Sequence, residues 1–144
     1  MRMVLDTDVV IAALRSTTGA SAALIRMAVA GQVTLLINVS LAFEYEAVAK
    51  RPEHCEAARL APSAMEETID AIVALCEPVP THFRWRPQLH DADDEMILEA
   101  AVNGQADMIV TFNRKDYGAA PKSFGMDVLL PSEALERVRQ WLKS

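Results

Sequence analysis

The chain alternates short apolar runs with longer stretches in which apolar residues recur at helical spacing. The short runs are apolar at successive positions, which is typical of parallel strands that are covered on both faces. This pattern predicts strands at 2–6, 33–37, 107–111 and 127–130, with a weaker one near 77–80. It predicts helices at 8–15, 20–30, 40–50, 54–60, 63–75, 92–103 and 132–142.

Residues that favour helix ends support these boundaries. Ser40, Ser63 and Ser132 stand where helices should begin, and serine is a favoured N-cap residue. Gly31 and Gly104 stand where helices should end. Repeated strand–helix units in a chain of 144 residues predict a single three-layer α/β/α domain with a mostly parallel central sheet of four to five strands.

Polar and acidic residues follow two of the predicted strands directly. The run 3–5 leads into Asp6 and Asp8, and the run 108–110 leads into the polar set Thr111, Asn113 and Asp116. The carboxyl ends of parallel strands meet at one edge of a sheet, where open α/β sheets build their sites. We therefore expect a site at this edge.

Two predicted helices contribute further carboxylates. Helix 92–103 opens with Asp91, Asp93, Asp94 and Glu95, more acids than an N-cap and the helix dipole require. Glu44 interrupts the apolar stripe of helix 40–50, and an unpaired carboxylate facing a core needs a partner or a metal.

Each of these acids also has a purely structural interpretation. Asp6 or Asp8 could cap a helix, Asp91 could be an N-cap, and Asp116 could start a helical turn. Glu44 could pair with an arginine. Each interpretation accounts for one or two acids, but not for the whole set.

If these acids lie close together, their negative charges must be neutralised. Two like charges about 4 Å apart repel by roughly 4 kcal/mol at an effective dielectric constant near 20, so protons or cations must offset them. Ligands that are all oxygen favour Mg²⁺ or Mn²⁺. The isolated residues His54, His82 and His90 form no zinc motif, and Cys55 and Cys76 are predicted to be buried free thiols.

Composition sets broader bounds. Apolar residues make up 51% and charged residues 24%, as in an ordinary globular protein. The chain has 14 Lys and Arg residues and 20 Asp and Glu residues, which gives a net charge of −6. This charge argues against a protein that binds nucleic acid through a large basic surface. It does not argue against a nuclease, because bound divalent cations reverse the charge of an acidic site. No apolar stretch is long enough to span a membrane, and Asp6 stands where a signal peptide would stay apolar, so we expect a cytoplasmic protein.

Four segments together resemble the PIN-domain ribonucleases, especially the small bacterial toxin-like members. They are Val4-Leu-Asp6-Thr-Asp8-Val-Val10, the stretch from Ser40 through Glu44 to Pro52, Asp91-Ala-Asp-Asp94-Glu-Met-Ile-Leu-Glu-Ala-Ala101, and the stretch from Ala106 through Thr111 and Asn113 to Tyr117. Four such segments in this order form a specific pattern that covers nearly the whole chain.

The resemblance implies a metal-dependent endoribonuclease in which Asp6, Glu44, Asp94 and Asp116 are the acidic catalytic set. Asp6, Asp94 and Asp116 would hold Mg²⁺ or Mn²⁺, and Thr111 and Asn113 would support them. Asp8 stands where the family often has Asn, and Asn113 where some members carry another acid. Whether Asn113 or Asp116 completes the site, and whether one metal or two bind, therefore stays open.

The resemblance to toxins implies an RNA substrate, an antitoxin protein whose basic or aromatic segment covers the acidic cleft, and a homodimer. Candidate phosphate contacts are the cations Arg15, Arg51, Arg84, Arg86, Arg114 and Lys115, with Trp85 as a possible stacking surface.

Two other functions fit part of the pattern. Asp6-Thr7-Asp8 resembles the nucleophile motif of haloacid-dehalogenase-type phosphatases, in which Asp6 would be phosphorylated and Asp8 would be the general acid. A receiver-like module would hold Mg²⁺ without catalysis. The phosphatase leaves Glu44 without a role, and a receiver needs an aspartate where the run 33–37 leads into Asn38.

Overall fold

The computed structural model describes residues 1–80, 89 and 91–144. These residues form one five-stranded sheet in the order β3-β2-β1-β4-β5, in which every neighbouring pair is parallel. The predicted parallel sheet is therefore confirmed. Its strands are β1 Arg2–Leu5, β2 Thr34–Ile37, β3 Glu77–Pro78, β4 Met108–Val110 and β5 Asp127–Leu129.

Helices flank the sheet in a three-layer α/β/α arrangement. Helix α6 packs against β1, β2 and β4, whereas α8 packs against β5 and α2. The helices are α1 Thr7–Arg15, α2 Ala20–Val29, α3 Val39–Ala49, α4 Pro52–Ala58, α5 Pro62–Leu75, α6 Ala92–Asn103, α7 Ala120–Ser123 and α8 Pro131–Lys143, with a 3₁₀ turn at Arg114–Tyr117.

The order of the strands places a crevice beside β1. The chain passes from β1 outward to β2 and β3, returns through α6, and continues on the other side with β4 and β5. The strand order therefore reverses between β1 and β4, the position at which open α/β sheets bind ligands. In the register of this pair Leu5 lies beside Val110, so Asp6 and Thr111 leave the sheet side by side.

The apolar runs of the central strands are buried, as their sequence pattern predicts. Residues 3–5 and 108–110 are at most 2% exposed. Ile97, Leu98 and Ala101 on α6 are equally buried, and this contact fixes the first turn of α6 at the carboxyl edge of the sheet. Both cysteines are buried free thiols, which confirms that prediction.

The three serine N-caps predicted from sequence are wrong. Asn38 caps α3, where its Oδ1 accepts a hydrogen bond from the Leu41 amide at 2.8 Å. Helices α5 and α8 begin at a proline, whose fixed φ suits the first helical position, so Ala61 and Leu130 are their N-cap residues. The predicted end of α6 at Gly104 is confirmed.

No single helix in the described parts of the chain is long and apolar enough to cross a membrane. Helices α1 and α2 reach that length and composition only as a pair, bent by 96°.

Candidate active site

Asp6 occupies the centre of the carboxyl edge. Its side chain is 9% exposed, and its Oδ2 accepts hydrogen bonds from the Thr111 hydroxyl at 2.7 Å and the Tyr117 hydroxyl at 3.0 Å. Its position is the N-cap of α1, but its side chain makes no capping bond. Helix capping therefore does not explain this carboxylate, whereas the two hydroxyl donors hold it toward the crevice.

Asp8 lies in the first turn of α1, two residues after Asp6, and borders the same crevice. Its Oδ2 accepts hydrogen bonds from the Asn113 side chain at 2.9 Å and the Phe112 amide at 3.2 Å. Its Oδ1 is buried and has no partner among the described residues. Burial, and then the charge of Asp6, raise the pKa of Asp8 to about 6.

Asp94 approaches from the first turn of α6. Its pKa is raised to about 6, first by burial and then by the charges of Asp6, Asp91, Asp116 and Asp93. The structural interpretation of Asp91 is confirmed, because its Oδ1 accepts the Asp93 amide at 2.9 Å as the N-cap of α6. The capping bond leaves the Asp94 side chain available to the crevice.

Glu44 lies at the border of the site on α3. It is only partly buried, and Ala47, one helical turn further along α3, is exposed. Burial is the main cause that raises the pKa of Glu44, and the charges of Asp93, Asp91 and Asp6 add to it, while Arg51 lowers it. The other acids of the site therefore act electrostatically on Glu44. None of the arginine ion pairs of the described residues involves Glu44.

Asp116 lies on the 3₁₀ turn that follows β4. It is exposed, and its charge acts on Asp94. Tyr117, the next residue, is fully buried and anchors the turn through Asp6. The two predicted supporting residues bind different acids. Thr111 donates a hydrogen bond to Asp6, whereas Asn113 donates one to Asp8.

The acids share one region but do not form a closed ligand set. Within the described residues, no three His, Cys, Asp or Glu side chains lie close enough together to hold one metal ion.

Sequence analysis missed Tyr117 as a partner of Asp6. The two residues lie 111 positions apart, so no local sequence pattern indicates this bond. Of the predicted cations, Arg114 pairs with Glu133 at 3.0 Å, and Lys115 is exposed beside Asn113. The candidates His82, Arg84, Trp85, Arg86 and His90 lie outside the described residues.

Comparison with known proteins gave one family. A family model described as PIN domain matches residues 2–115, which include Asp6, Glu44 and Asp94 and end one residue before Asp116. A search of curated proteins found no significant match.

We predict that Tyr117→Phe destabilises the protein by about 1.5–3 kcal/mol, because it removes a hydrogen bond to a buried carboxylate. The melting temperature should fall by roughly 3–12 °C. Tyr45→Phe is the matched control, since the Tyr45 hydroxyl donates to the neutral Leu5 carbonyl and its loss should cost less. Equal losses in calorimetry would contradict this role for Tyr117.

We predict that Asp94→Asn stabilises the metal-free protein at pH 7. The pKa of Asp94 is about 6 in the folded state against its ordinary value of 3.8, so the stability contributed by protonated Asp94 is lost as the pH rises through this interval. Solvent screening of this partly exposed group limits the gain to about 1 kcal/mol, or roughly 2–4 °C.

This gain should shrink as the pH falls from 6 to 4 and disappear by about pH 3, where Asp94 of the wild type is mostly protonated in both states. The exposed Asp70 on α5 supplies the control, and Asp70→Asn should leave the melting temperature nearly unchanged in EDTA. A gain that persisted undiminished at pH 4 would show that the charge of Asp94 is not its cause.

Proposed function

The chain belongs to the PIN-domain family, and we propose from this premise that it is a metal-dependent endoribonuclease. Family membership indicates a nuclease, and PIN domains generally use divalent metal ions. The observation that carries the proposal is the Asp6 carboxylate, which is buried at the strand-order reversal and held by two hydroxyl donors. Its charge and that of Asp116 both act on Asp94. RNA as the substrate rests on the four sequence segments.

The residues present fit a divalent cation. All the candidate ligands are carboxylate oxygens, which suit Mg²⁺ or Mn²⁺. The raised pKa values of Asp8 and Asp94 indicate that deprotonated acids are crowded here, and a cation would relieve that crowding. The unpartnered Oδ1 of Asp8 supports the same interpretation.

Each side chain would then have a distinct task. Both hydroxyl bonds to Asp6 end on Oδ2, so its Oδ1 has no hydrogen bond within the described residues and is available as a ligand. Asp94 and Asp116 would complete the set, and Glu44 would position the attacking water or ligate a second ion. A bound divalent cation supplies activation of that water and neutralises the charge that develops on the phosphate.

The toxin-like segments support a narrower proposal, that the enzyme is the toxin of a toxin–antitoxin pair and acts in the cytoplasm, where its RNA targets are. A basic or aromatic segment of the antitoxin would cover the acids. Val39 and Phe43 are 73% and 67% exposed on α3, the helix that carries Glu44, and such exposed apolar side chains support contact with an antitoxin or a second copy.

We predict metal-dependent cleavage of single-stranded RNA that stops in EDTA and resumes with Mg²⁺ or Mn²⁺. Asp6→Asn and Asp94→Asn should each lower the rate at least about a hundredfold, the upper end of what loss of outer-shell partners costs metal sites. Asp70→Asn is the control for surface charge. Gel analysis of a labelled RNA measures the rate.

Hydrolysis of para-nitrophenyl phosphate without cleavage of RNA would instead support the phosphatase with Asp6 as nucleophile. Binding of Mg²⁺ without either activity would support a receiver-like module. Either result would refute the ribonuclease proposal.

The toxin proposal predicts that induced expression in a bacterial host slows growth, and that Asp94→Asn relieves the effect because the protein persists without activity. Growth curves at equal protein levels, measured by immunoblot, test this. Equal growth with both proteins would leave the ribonuclease intact but would refute the toxin role.

A further inference from the structure

A cavity of about 220 Å³ lies beside the acids on the β4–β5 side. It separates the end of α1 and the start of α2 from the start of α8, and Phe112 forms part of its wall. The lining residues are Ala12, Ser16, Gly19, Ala20, Ser21, Phe112, Leu130, Pro131 and Ser132. Neither acids nor bases line it, so it is chemically distinct from the acidic crevice.

Ser21 is a buried polar group that lines this cavity without a partner. It is 4% exposed, and its hydroxyl has no hydrogen bond to any residue in the described ranges. The Ser21 oxygen is not one of the fully enclosed unpartnered atoms of the described residues, so it keeps some accessible surface where Ser21 lines the cavity. A ligand in the cavity can therefore form a hydrogen bond with this hydroxyl.

The start of α2 adds unpaired donors at the same place. Its N-cap is Gly19, which has no side chain to cap the helix, and its first turn carries no acid. The first amides of a helix lack partners within the helix and therefore favour acceptors. By contrast, the start of α8 has Glu133, whose Oε1 accepts the Leu130 amide at 2.9 Å.

Phe112 connects the cavity to the acids. Its ring is 49% exposed, and its backbone amide donates to Asp8. The neighbouring residues Thr111 and Asn113 bind Asp6 and Asp8. Hydrogen bonds on three successive residues fix the position of this ring relative to the acids.

We propose that the cavity binds one nucleobase of single-stranded RNA beside the bond that is cut, and that Ser21 and Phe112 set the base preference of the enzyme. This inference rests on the proposed ribonuclease function. Single-stranded RNA is recognised through bases that stack on aromatic rings and expose their hydrogen-bonding edges. The apolar wall and Phe112 suit the faces of a base, and the Ser21 hydroxyl and α2 amides suit the acceptors on its edge.

The size and charge of the cavity favour a base over other parts of RNA. Its volume lies below the about 300–1,000 Å³ of sites that enclose whole drug-sized ligands, so a flat ring fits better than a complete nucleotide. A phosphate would need a cation or several polar groups, and neither Lys nor Arg lines the cavity.

The experiment measures binding as well as cleavage, so that the two proposals can fail separately. Binding of fluorescent eight-nucleotide homopolymers of A, C and U is measured by anisotropy with Mg²⁺ in the Asp94→Asn protein, which should not cut them. Cleavage preference is mapped with the wild type on a randomised single-stranded RNA. Both are repeated with Ser21→Ala and Phe112→Ala.

Two matched variants control for general effects. Ser63 is exposed and occupies the same second helical position in α5 as Ser21 does in α2, so Ser63→Ala tests loss of a serine hydroxyl. Phe124 is 44% exposed near the start of β5, at the opposite edge of the sheet, so Phe124→Ala tests loss of a surface ring. Melting temperatures confirm that each variant is folded.

We expect one base to be preferred, and Ser21→Ala to reduce that preference about fivefold or more, as loss of one hydrogen bond of about 1 kcal/mol implies. Phe112→Ala should weaken binding of all three RNAs by roughly fivefold to a hundredfold, the range for loss of base stacking. The control variants should change neither quantity.

Absence of a base preference, absence of RNA binding, or equal weakening of all three RNAs by Ser21→Ala would overturn the inference, the last pointing to a phosphate contact. Base-selective binding that depends on Ser21 would support it even if the wild type cut no RNA, and only the proposed function would then fail. Cleavage whose base preference is unchanged in Ser21→Ala would refute the inference alone.

Discussion

The arrangement of the site depends on one buried charge. Asp6 leaves the central strand where the sheet is covered by helices, and a carboxylate there is stable only if donors replace the water it has lost. Thr111 and Tyr117 supply those donors from the end of β4 and from the 3₁₀ turn. These bonds also determine where the loop between them lies, and so where Asn113, Phe112 and Asp116 can act.

Repulsion among the other acids of the site works against this hydrogen-bonded arrangement. Burial and neighbouring charges raise the pKa values of Asp8, Asp94 and Glu44. The ionised forms of these carboxyl groups are therefore less stable in the metal-free folded protein than in the unfolded chain. The buried apolar strands and α6 must offset this cost. Such a conflict between stability and local charge is common where a site is built to bind an oppositely charged ligand.

Much of this organisation could be predicted from the sequence, because its physical causes are local. Continuous apolar runs predicted the parallel strands, and the polar residues after them predicted which edge would carry the acids. N-caps were harder to predict, because proline at the first helical position displaced the serines at Ser63 and Ser132. The Tyr117–Asp6 bond joins residues 111 positions apart, so no local pattern could reveal it. The catalytic roles of Asp6, Glu44, Asp94 and Asp116 stay predictions.

The separation in sequence between Asp6 and its donors also bears on when the protein becomes active. During synthesis Asp6 is made before its two donors, since Thr111 and Tyr117 follow it 105 and 111 residues later. Strand β1 lies between β2 and β4, so both of its edges are paired only after β4 has been made. A growing chain therefore lacks the donors that order Asp6 until Tyr117 has been made, so the site stays incomplete on the ribosome up to that point.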